Sequence, residues 1–295
     1  MSQRFWWLRA ASSIHVGAGE TGSLIDLPVM REVTTGYPFL PGSAMKGALR
    51  DHWRIQKAKS LPAAETDGLT WSEVLKKADT SEMLQDLFGS QEGAGQLLIG
   101  DARLAFLPMR TLSHAFAWVT CPNVLRRMQR DLAFASVANV ASETPISLDD
   151  QDDERALFVG DTLYLEDYRL KSAKPEISCK EMEDIVSMAG FAGLADFDYK
   201  NIVIVNDAFF GYLARRRLPV RMRNRLDPHT KTVSVGALWS EESLPPETLL
   251  YMVVADRSPQ EQSLATFSKE APKFLQVGGN ETVGEGWLEL SARTE

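Results

Sequence analysis

Hydrophobic and polar positions along the chain repeat with two different periods, so both helices and strands are predicted. Met45, Ala48, Leu49 and Trp53 form one apolar stripe, which predicts a helix with Ser43 as its N-cap. Further helices are predicted at about 72–78, 81–88, 122–135, 180–194 and 259–271, and a short one at 207–213 that Asp207 can cap. These helices are short and scattered over the chain, so a helix bundle is not expected.

Short apolar or alternating runs predict strands between these helices. Such runs lie at about 4–11, 97–107 with an interruption near 100, 162–170, 201–205, 249–255, 274–277 and 287–290. Leu218–Leu226 and Thr232–Trp239 flank the turn-rich sequence LDPHTK, which predicts a β-hairpin. Because strands and helices do not alternate strictly, we expect an α+β fold of the ferredoxin-like type.

The overall composition excludes several classes of protein. The chain has 295 residues, of which 44% are hydrophobic, and it has the balance of a globular protein without a run long enough to cross a membrane. The N-terminal apolar run is short and broken by Arg9, which is not typical of a secretory signal. Cys121 and Cys179 lack the spacing of metal ligands, so we expect a reducing cytoplasm and no structural zinc.

The net charge of −8 disfavours nucleic-acid binding, but the charge is unevenly distributed. Residues 213–231 contain seven basic residues and one acidic residue, and therefore carry +6. Arg221, Arg223 and Arg225 have period two, which places them on one face of an extended strand. For a generic protein, a solvated strand or helix face is the preferred explanation of this pattern, whereas the functional interpretation is a surface that attracts a polyanion.

Two glycine-rich segments resemble nucleotide-binding motifs but lack their context. GAGETG at 17–22 matches G-x-G-x-x-G, yet Pro28 and the absence of helical periodicity after it exclude a dinucleotide fold. VGGNETVGEG at 277–286 is not a P-loop, because Glu285 follows Gly284 where that motif requires lysine. The second segment is either a plain connection or a place where another backbone approaches closely.

Three further features carry candidate chemistry. In GSAMKGALR, an exposed helix N-terminus with Ser43, Lys46 and Arg50 would suit a phosphodiester backbone, although surface helices often carry such bases. Asp26 in LIDLP is a lone carboxylate, either a turn residue or a group held for metal or proton chemistry. His15 precedes the same loop and is a second-line candidate base.

Taken together, the chain closely resembles the RAMP superfamily of CRISPR–Cas proteins, and most of all the repeated backbone subunits of type III-B (Cmr) effector complexes. The resemblance covers nearly the whole chain and rests on ordered segments that include IHVGAGETGSLIDLPVMRE, TGYPFLPGSAMKGALRD, LLIGDARLAFLPMRTL, TKTVSVGALWSEE and FLQVGGNETVGEGWLEL. It implies one RAMP-type domain over residues 1–295, with a modified RNA-recognition-motif (ferredoxin-like) palm. A protruding thumb β-hairpin is expected at about 207–240 and inserted helical segments at about 55–95.

The resemblance also implies a function. Members of this family stack as a filament along a guide crRNA and cut paired, single-stranded target RNA at regular intervals. The expected partners are the crRNA, the target RNA, copies of the chain itself and other Cmr subunits, in the cytoplasm and without a membrane. The family's catalytic aspartate corresponds to Asp26, acting as general base or as ligand of a divalent cation, Mg²⁺ or Mn²⁺.

Motifs and resemblance together predict a set of RNA-binding residues. They are Arg31, Ser43, Lys46, Arg50, Arg221, Arg223, Arg225, Gly278, Gly279, Gly284 and Gly286. The acidic Glu285 is unexpected inside a guide-binding loop, and His229 stands in the hairpin turn as a second-line candidate. Two alternatives stay open: a non-catalytic scaffold that binds crRNA, and a metal-independent ribonuclease that uses His15.

Overall fold

The fold is given by a computed structural model of the chain. It describes residues 2–19, 24–135, 148–174, 176–188, 198–258 and 262–292. The predicted helical residues 189–194 and 259–261, together with the end of the GAGETG segment, lie outside the described residues.

The described residues form mixed helices and strands, in agreement with the predicted α+β class. The strands are β1 Ser2–Ala10, β2 Phe39–Leu40, β3 Leu97–Ile99, β4 Ala102–Met109, β5 Ala117–Thr120, β6 Arg155–Ala156, β7 Thr162–Leu165, β8 Tyr168–Ser172, β9 Ile202–Ile204, β10 Val220–Leu226, β11 Val233–Glu242, β12 Leu249–Asp256, β13 Phe274–Gln276 and β14 Trp287–Ala292. The helices are α1 Gly42–Ser60, α2 Ala63–Thr66, α3 Trp71–Asp79, α4 Glu82–Phe88, α5 Pro122–Phe134, α6 Cys179–Met188, α7 Asp207–Arg216 and α8 Gln262–Glu270.

One large sheet organises the molecule. Its strand order is β13-β14-β1-β12-β4-β5-β9, with β2 beside β4 and β3 beside β12. β1 and β12 pair antiparallel from Ser2 opposite Asp256 to Arg9 opposite Leu249, whereas β5 and β9 run parallel. A second, three-stranded sheet has the order β6-β8-β7.

The apolar run at the start of the chain explains why β1 lies at the centre of the large sheet. Successive side chains on a strand point to opposite faces, and here both faces are covered. Trp6 packs edge-to-face on Phe267 of α8, on the side that also holds Met45 and Trp53 of α1. Trp7 belongs to the opposite layer, which α5 covers.

The predicted hairpin is confirmed as a separate two-stranded sheet formed by β10 and β11, which we call the arginine hairpin. Arg221 lies opposite Glu241, and Met222 lies opposite Ser240. Residues that are directly opposite in an antiparallel pair share a face, so arginines occupy one face and Met222 and Ser240 the other. Asp227 closes the turn by accepting hydrogen bonds from the backbone N–H groups of residues 229 and 230.

Three local predictions were wrong. Ser43 does not cap α1, because the helix begins at Gly42, whose N–H donates to Asp101 Oδ1 at 2.8 Å. The strand expected over 162–170 is two strands, separated by a turn in which Glu166 has a positive φ of 51°. The helix cap is Asn206 and not Asp207, since its Oδ1 accepts the Phe209 N–H at 2.6 Å.

Candidate active site at the base of the arginine hairpin

Asp26 is an exposed carboxylate held at the base of the arginine hairpin. Its Oδ2 accepts hydrogen bonds from the backbone N–H of Ser240 at 2.7 Å and from the Ser240 hydroxyl at 2.8 Å. The Asp26 N–H in turn donates to Ser240 Oγ at 2.9 Å. No described residue donates to Oδ1, so this oxygen is available for chemistry.

The hydrogen bonds around Asp26 favour its charged form. The backbone N–H of Ser240 contributes most, and the hydroxyl adds to it, so the pKa of Asp26 lies below its ordinary value of 3.8. An exposed aspartate with a lowered pKa is ionised throughout the physiological range. It is therefore a permanent anion, which can bind a cation or, as a weak base, accept a proton.

The chain around Asp26 is fixed by β-type pairing with the end of β11. The N–H of Leu27 donates to the Ser240 carbonyl at 3.0 Å, and the N–H of Glu242 donates to the Leu27 carbonyl at 3.0 Å. The loop thus adds a short parallel pairing beside β11. This explains how a glycine- and proline-rich loop places a carboxylate in one position.

Glu242, the last residue of β11, contacts both His15 and Arg31. The His15 Nδ1 lies 2.7 Å from the backbone carbonyl oxygen of Glu242, so its N–H donates a hydrogen bond to that oxygen. The Glu242 carboxylate accepts from the Val29 N–H at 3.1 Å and from the Arg31 guanidinium at 2.6 Å. Arg31 also donates to the carbonyl oxygens of Gly36 and Ala214, so most of its donor groups are used inside the protein.

His15 is poorly placed to meet a substrate. His15 is only 8% exposed, and a Cβ atom on Gly17 would lie 2.7 Å from the His15 Nε2. On the other side, the Gly279 N–H donates to the His15 carbonyl at 2.9 Å. The imidazole is therefore packed between backbone segments, and Asp26 is the more accessible of the two candidate groups.

On the opposite face of the hairpin, arginines meet buried carboxylates. Arg221 lies 2.9 Å and Arg223 2.7 Å from Glu285 Oε1, and Arg223 also contacts Glu241 at 3.1 Å. The Asn280 amide donates to both Glu241 and Glu285. Burial lowers the pKa of Arg223, but the hydrogen bonds that its guanidinium donates to Glu285 and Glu241 outweigh burial and raise that pKa overall. We call Glu241, Glu285, Arg221, Arg223 and Asn280 the hairpin-base network.

The glycine-rich loop is held by internal hydrogen bonds. The N–H groups of Gly279, Gly284 and Gly286 donate to the carbonyl oxygens of His15, Glu281 and Ser13. Gly278 and Gly286 have φ of 89°, and a Cβ atom on either would come within 2.4 Å of a carbonyl oxygen. These glycines are thus required by close backbone contacts, and their contact with RNA stays a prediction.

The remaining residues predicted to bind RNA differ in their exposure and in whether they form ion pairs within the protein. Arg50 forms a two-point ion pair with Asp79 at 3.0 and 3.1 Å, which ties α1 to α3. Ser43 is exposed. Lys46 is half-buried and has no salt-bridge partner within the described residues. Arg225 is exposed and likewise lacks an ion-pair partner among them.

A divalent cation fits this site only as a shared ion. No group of three or more His, Cys, Asp or Glu side chains that would hold a metal occurs among the residues that the structure describes. Mg²⁺ commonly binds through one or two carboxylates and completes its shell with water and phosphate oxygens. The free Oδ1 of Asp26 fits that pattern, with RNA supplying the other oxygens.

Several residues that organise the site were not predicted from the sequence. Ser240, Glu241 and Glu242 lie within the TKTVSVGALWSEE segment but had no role assigned, and Asn280 was overlooked. Local patterns offered no signal for them: the pairing of Leu226 with Val233 beside the turn would place Arg221 opposite Leu238, and only the register shift between Asn224 and Leu226 brings Glu241 opposite Arg221. Cross-strand pairs of opposite charge stabilise a sheet, so this pair becomes recognisable only once the register is known.

Comparison with known proteins gives a full-length match. The family model described as the RAMP superfamily matches residues 7–289. The protein named "CRISPR system Cmr endoribonuclease Cmr4" from Pyrococcus furiosus is 29% identical over 290 residues, which are 95% of this chain and 92% of that protein.

In the part of the chain that the structure describes, no helix is both long and apolar enough to cross a membrane.

Solved structures share the fold. The crystal structure of oligomeric Cmr4 from Pyrococcus furiosus matches with a TM-score of 0.71 and 25% identity, covering 99% of this chain and 98% of that one. A chain in the cryo-EM structure of the type III-B Cmr-beta complex bound to cognate target RNA matches with a TM-score of 0.69 and 21% identity. That match covers 99% of this chain and 97% of the other, and it shows the fold alone.

Proposed function

The chain belongs to the RAMP superfamily, and we propose that it is a backbone subunit of a type III-B CRISPR effector complex. In this role it binds guide crRNA together with further copies of itself and other Cmr subunits, and it cuts complementary target RNA. The full-length similarity to a protein named as a Cmr endoribonuclease supports RNA cleavage. The similarity to an oligomeric Cmr4 supports stacking of copies. The expected cytoplasmic location stays a prediction.

We further propose how the parts of the fold serve this role. The large sheet around β1 and β12 corresponds to the palm, and the arginine hairpin corresponds to the thumb. The exposure of nearly every β10 residue supports this assignment, because a strand that contacts RNA needs an accessible surface. A guide–target duplex is recognised through its backbone and shape, so basic side chains need only reach phosphates.

The catalytic part of the proposal rests on one observation: Asp26 is an exposed carboxylate with one oxygen held by Ser240 and the other without a donor among the described residues. Cleavage by attack of a 2′-hydroxyl requires in-line geometry, removal of a proton and neutralisation of phosphate charge. Asp26 meets the second need as a general base. Alternatively, its Oδ1 holds a divalent cation, which when bound supplies charge neutralisation at the phosphate.

The basic groups divide into two sets. We propose that Lys46 and Arg225 contact RNA phosphates, because each is accessible and lacks an ion-pair partner among the described residues. Arg221 and Arg223 instead hold the hairpin against the glycine-rich loop through Glu285. Their positive charge still contributes to the field at the hairpin, although the paired carboxylates offset much of it.

The test is reconstitution of the effector from the full chain, guide crRNA and partner subunits, followed by addition of labelled complementary RNA. We expect cuts at regular spacing, which EDTA abolishes and added Mg²⁺ or Mn²⁺ restores. Asp26→Ala should abolish the cuts while the complex still assembles and binds target RNA. Retained cleavage by this variant would overturn the catalytic assignment, and cleavage that persists in EDTA would favour the metal-independent alternative.

A further inference from the structure

The hydroxyl of Ser240 makes two hydrogen bonds to the same residue. It donates to Asp26 Oδ2 at 2.8 Å and accepts from the Asp26 backbone N–H at 2.9 Å. One hydroxyl therefore closes a ring that contains both the backbone and the side chain of Asp26. Such a ring restricts rotation of the carboxylate, which would otherwise turn freely on an exposed loop.

Ser240 is itself well fixed. Its residue is only 8% exposed, and its carbonyl oxygen accepts the Leu27 N–H at 3.0 Å. Glu241 and Glu242, the next two residues of β11, are anchored through Arg223 and Arg31. A rigid support of this kind is what a catalytic group needs, because small displacements of a reacting group cost large factors in rate.

We propose that Ser240 is a positioning residue for Asp26: it directs Oδ1 toward the RNA by occupying Oδ2. This inference rests on the proposed function, in which Asp26 takes part in RNA cleavage. Among the described residues, the Ser240 hydroxyl forms hydrogen bonds with Asp26 and with none of the predicted RNA-binding residues, so its loss should slow the chemical step and leave RNA binding intact.

The chain offers a matched control three residues away. Ser243 is only 2% exposed, and its hydroxyl has no hydrogen-bond partner among the described residues. Ser243→Ala therefore removes a buried hydroxyl from the same region without touching Asp26. Ser240→Thr is the conservative variant, since threonine keeps the hydroxyl and is compatible with a strand.

The experiment measures single-turnover cleavage by reconstituted effectors that contain wild-type chain, Ser240→Ala, Ser240→Thr, Ser243→Ala or Asp26→Asn. We expect Ser240→Ala to lower the maximal rate by about 10- to 100-fold. The target RNA concentration that gives half the maximal rate should change by less than about twofold. Ser240→Thr should recover most of the rate, and Ser243→Ala should match the wild type.

Two results would overturn the inference, and they differ from each other. A Ser240→Ala effector that cleaves at the wild-type rate while Asp26→Asn is inactive would refute positioning by Ser240 and leave the catalytic assignment of Asp26 intact. An Asp26→Asn effector that still cleaves would instead refute the proposed function, and with it the positioning role. A loss of target binding that equals the loss of rate in Ser240→Ala would indicate a general structural role and contradict the inference.

Discussion

A carboxylate contacts each face of the arginine hairpin, and the two carboxylates differ in exposure and in their partners. On one face, Asp26 is exposed, and within the part of the chain that the structure describes its carboxylate accepts hydrogen bonds from neutral donors of Ser240 alone. On the other, Glu285 is 7% exposed and contacts two arginines. The same chemical group is thus available for reaction on one face and serves as a structural tie on the other. Burial and partners, and not residue type, decide which role a carboxylate takes.

This difference also explains the unexpected acid in the glycine-rich loop. In the sequence alone, Glu285 argues against phosphate contact by this loop, because nothing there reveals its arginine partners. In the structure it joins the loop to β10, and the Gln276 amide donates to its backbone carbonyl at 2.8 Å. The loop therefore holds the base of the hairpin, and Glu285 carries a negative charge, like RNA itself, because its partners are arginines.

The largest effect on stability is expected from Glu285→Ala. This change leaves Arg221, Arg223 and the Asn280 amide without their shared acceptor. Because both arginines are partly exposed, we expect a loss of about 2–3 kcal/mol in the free energy of unfolding, less than for a fully buried pair. Urea denaturation of the purified chain measures this loss. A change below about 0.5 kcal/mol would show that the hairpin-base network is not a structural tie.

A smaller effect separates two arginines on the same face of β10. Arg223→Ala should cost about 1–2 kcal/mol in the free energy of unfolding, since it removes charged hydrogen bonds to Glu241 and Glu285. Arg225→Ala should change stability by less than about 0.5 kcal/mol. In the assembled complex it should instead lower the slope of log affinity for RNA against log salt by about one. Equal behaviour of the two variants in both measurements would contradict the division proposed for them.

The smallest effect concerns pH. The pKa of Asp26 is below 3.8, so its ionisation should leave the cleavage rate level between about pH 5 and 8. Any stability from its hydrogen bonds is present above the ordinary aspartate pKa and is lost as the pH falls below it. A pH–rate profile of the reconstituted effector measures this. A rate that rises through the titration of one group between pH 5 and 8 would show that a group other than Asp26 removes the proton.

Much of the fold could be predicted from local patterns. The hairpin followed from the turn LDPHTK and the alternating arginines, and β1 followed from its aromatic run. The cap of α1 could not, because the group that accepts the Gly42 N–H comes from Asp101, 59 residues away. The division between β7 and β8 was missed because Glu166, a residue that rarely adopts positive φ, forms the turn.

The candidate site was predictable in its central residue and not in its surroundings. Asp26 stood out as a lone carboxylate in a loop, but its partner Ser240 is 214 residues away in sequence. Pairings over such distances depend on the register of β11 and on the loop that joins it, which local periodicity does not report. Arg221 and Arg223 were grouped with Arg225 because period two fixes the face of a strand and says nothing of what covers that face.

We propose that Asp26 performs chemistry while Glu285 maintains structure. The most direct test compares Asp26→Asn with Glu285→Gln, two matched replacements of a carboxylate by an amide, in reconstituted effectors under single-turnover conditions. We expect Asp26→Asn to lower the cleavage rate by about 10²- to 10⁴-fold with unchanged stability, and Glu285→Gln to cleave within a few fold of the wild type with lowered stability. Cleavage by Asp26→Asn at a rate close to that of the wild type would contradict the claim.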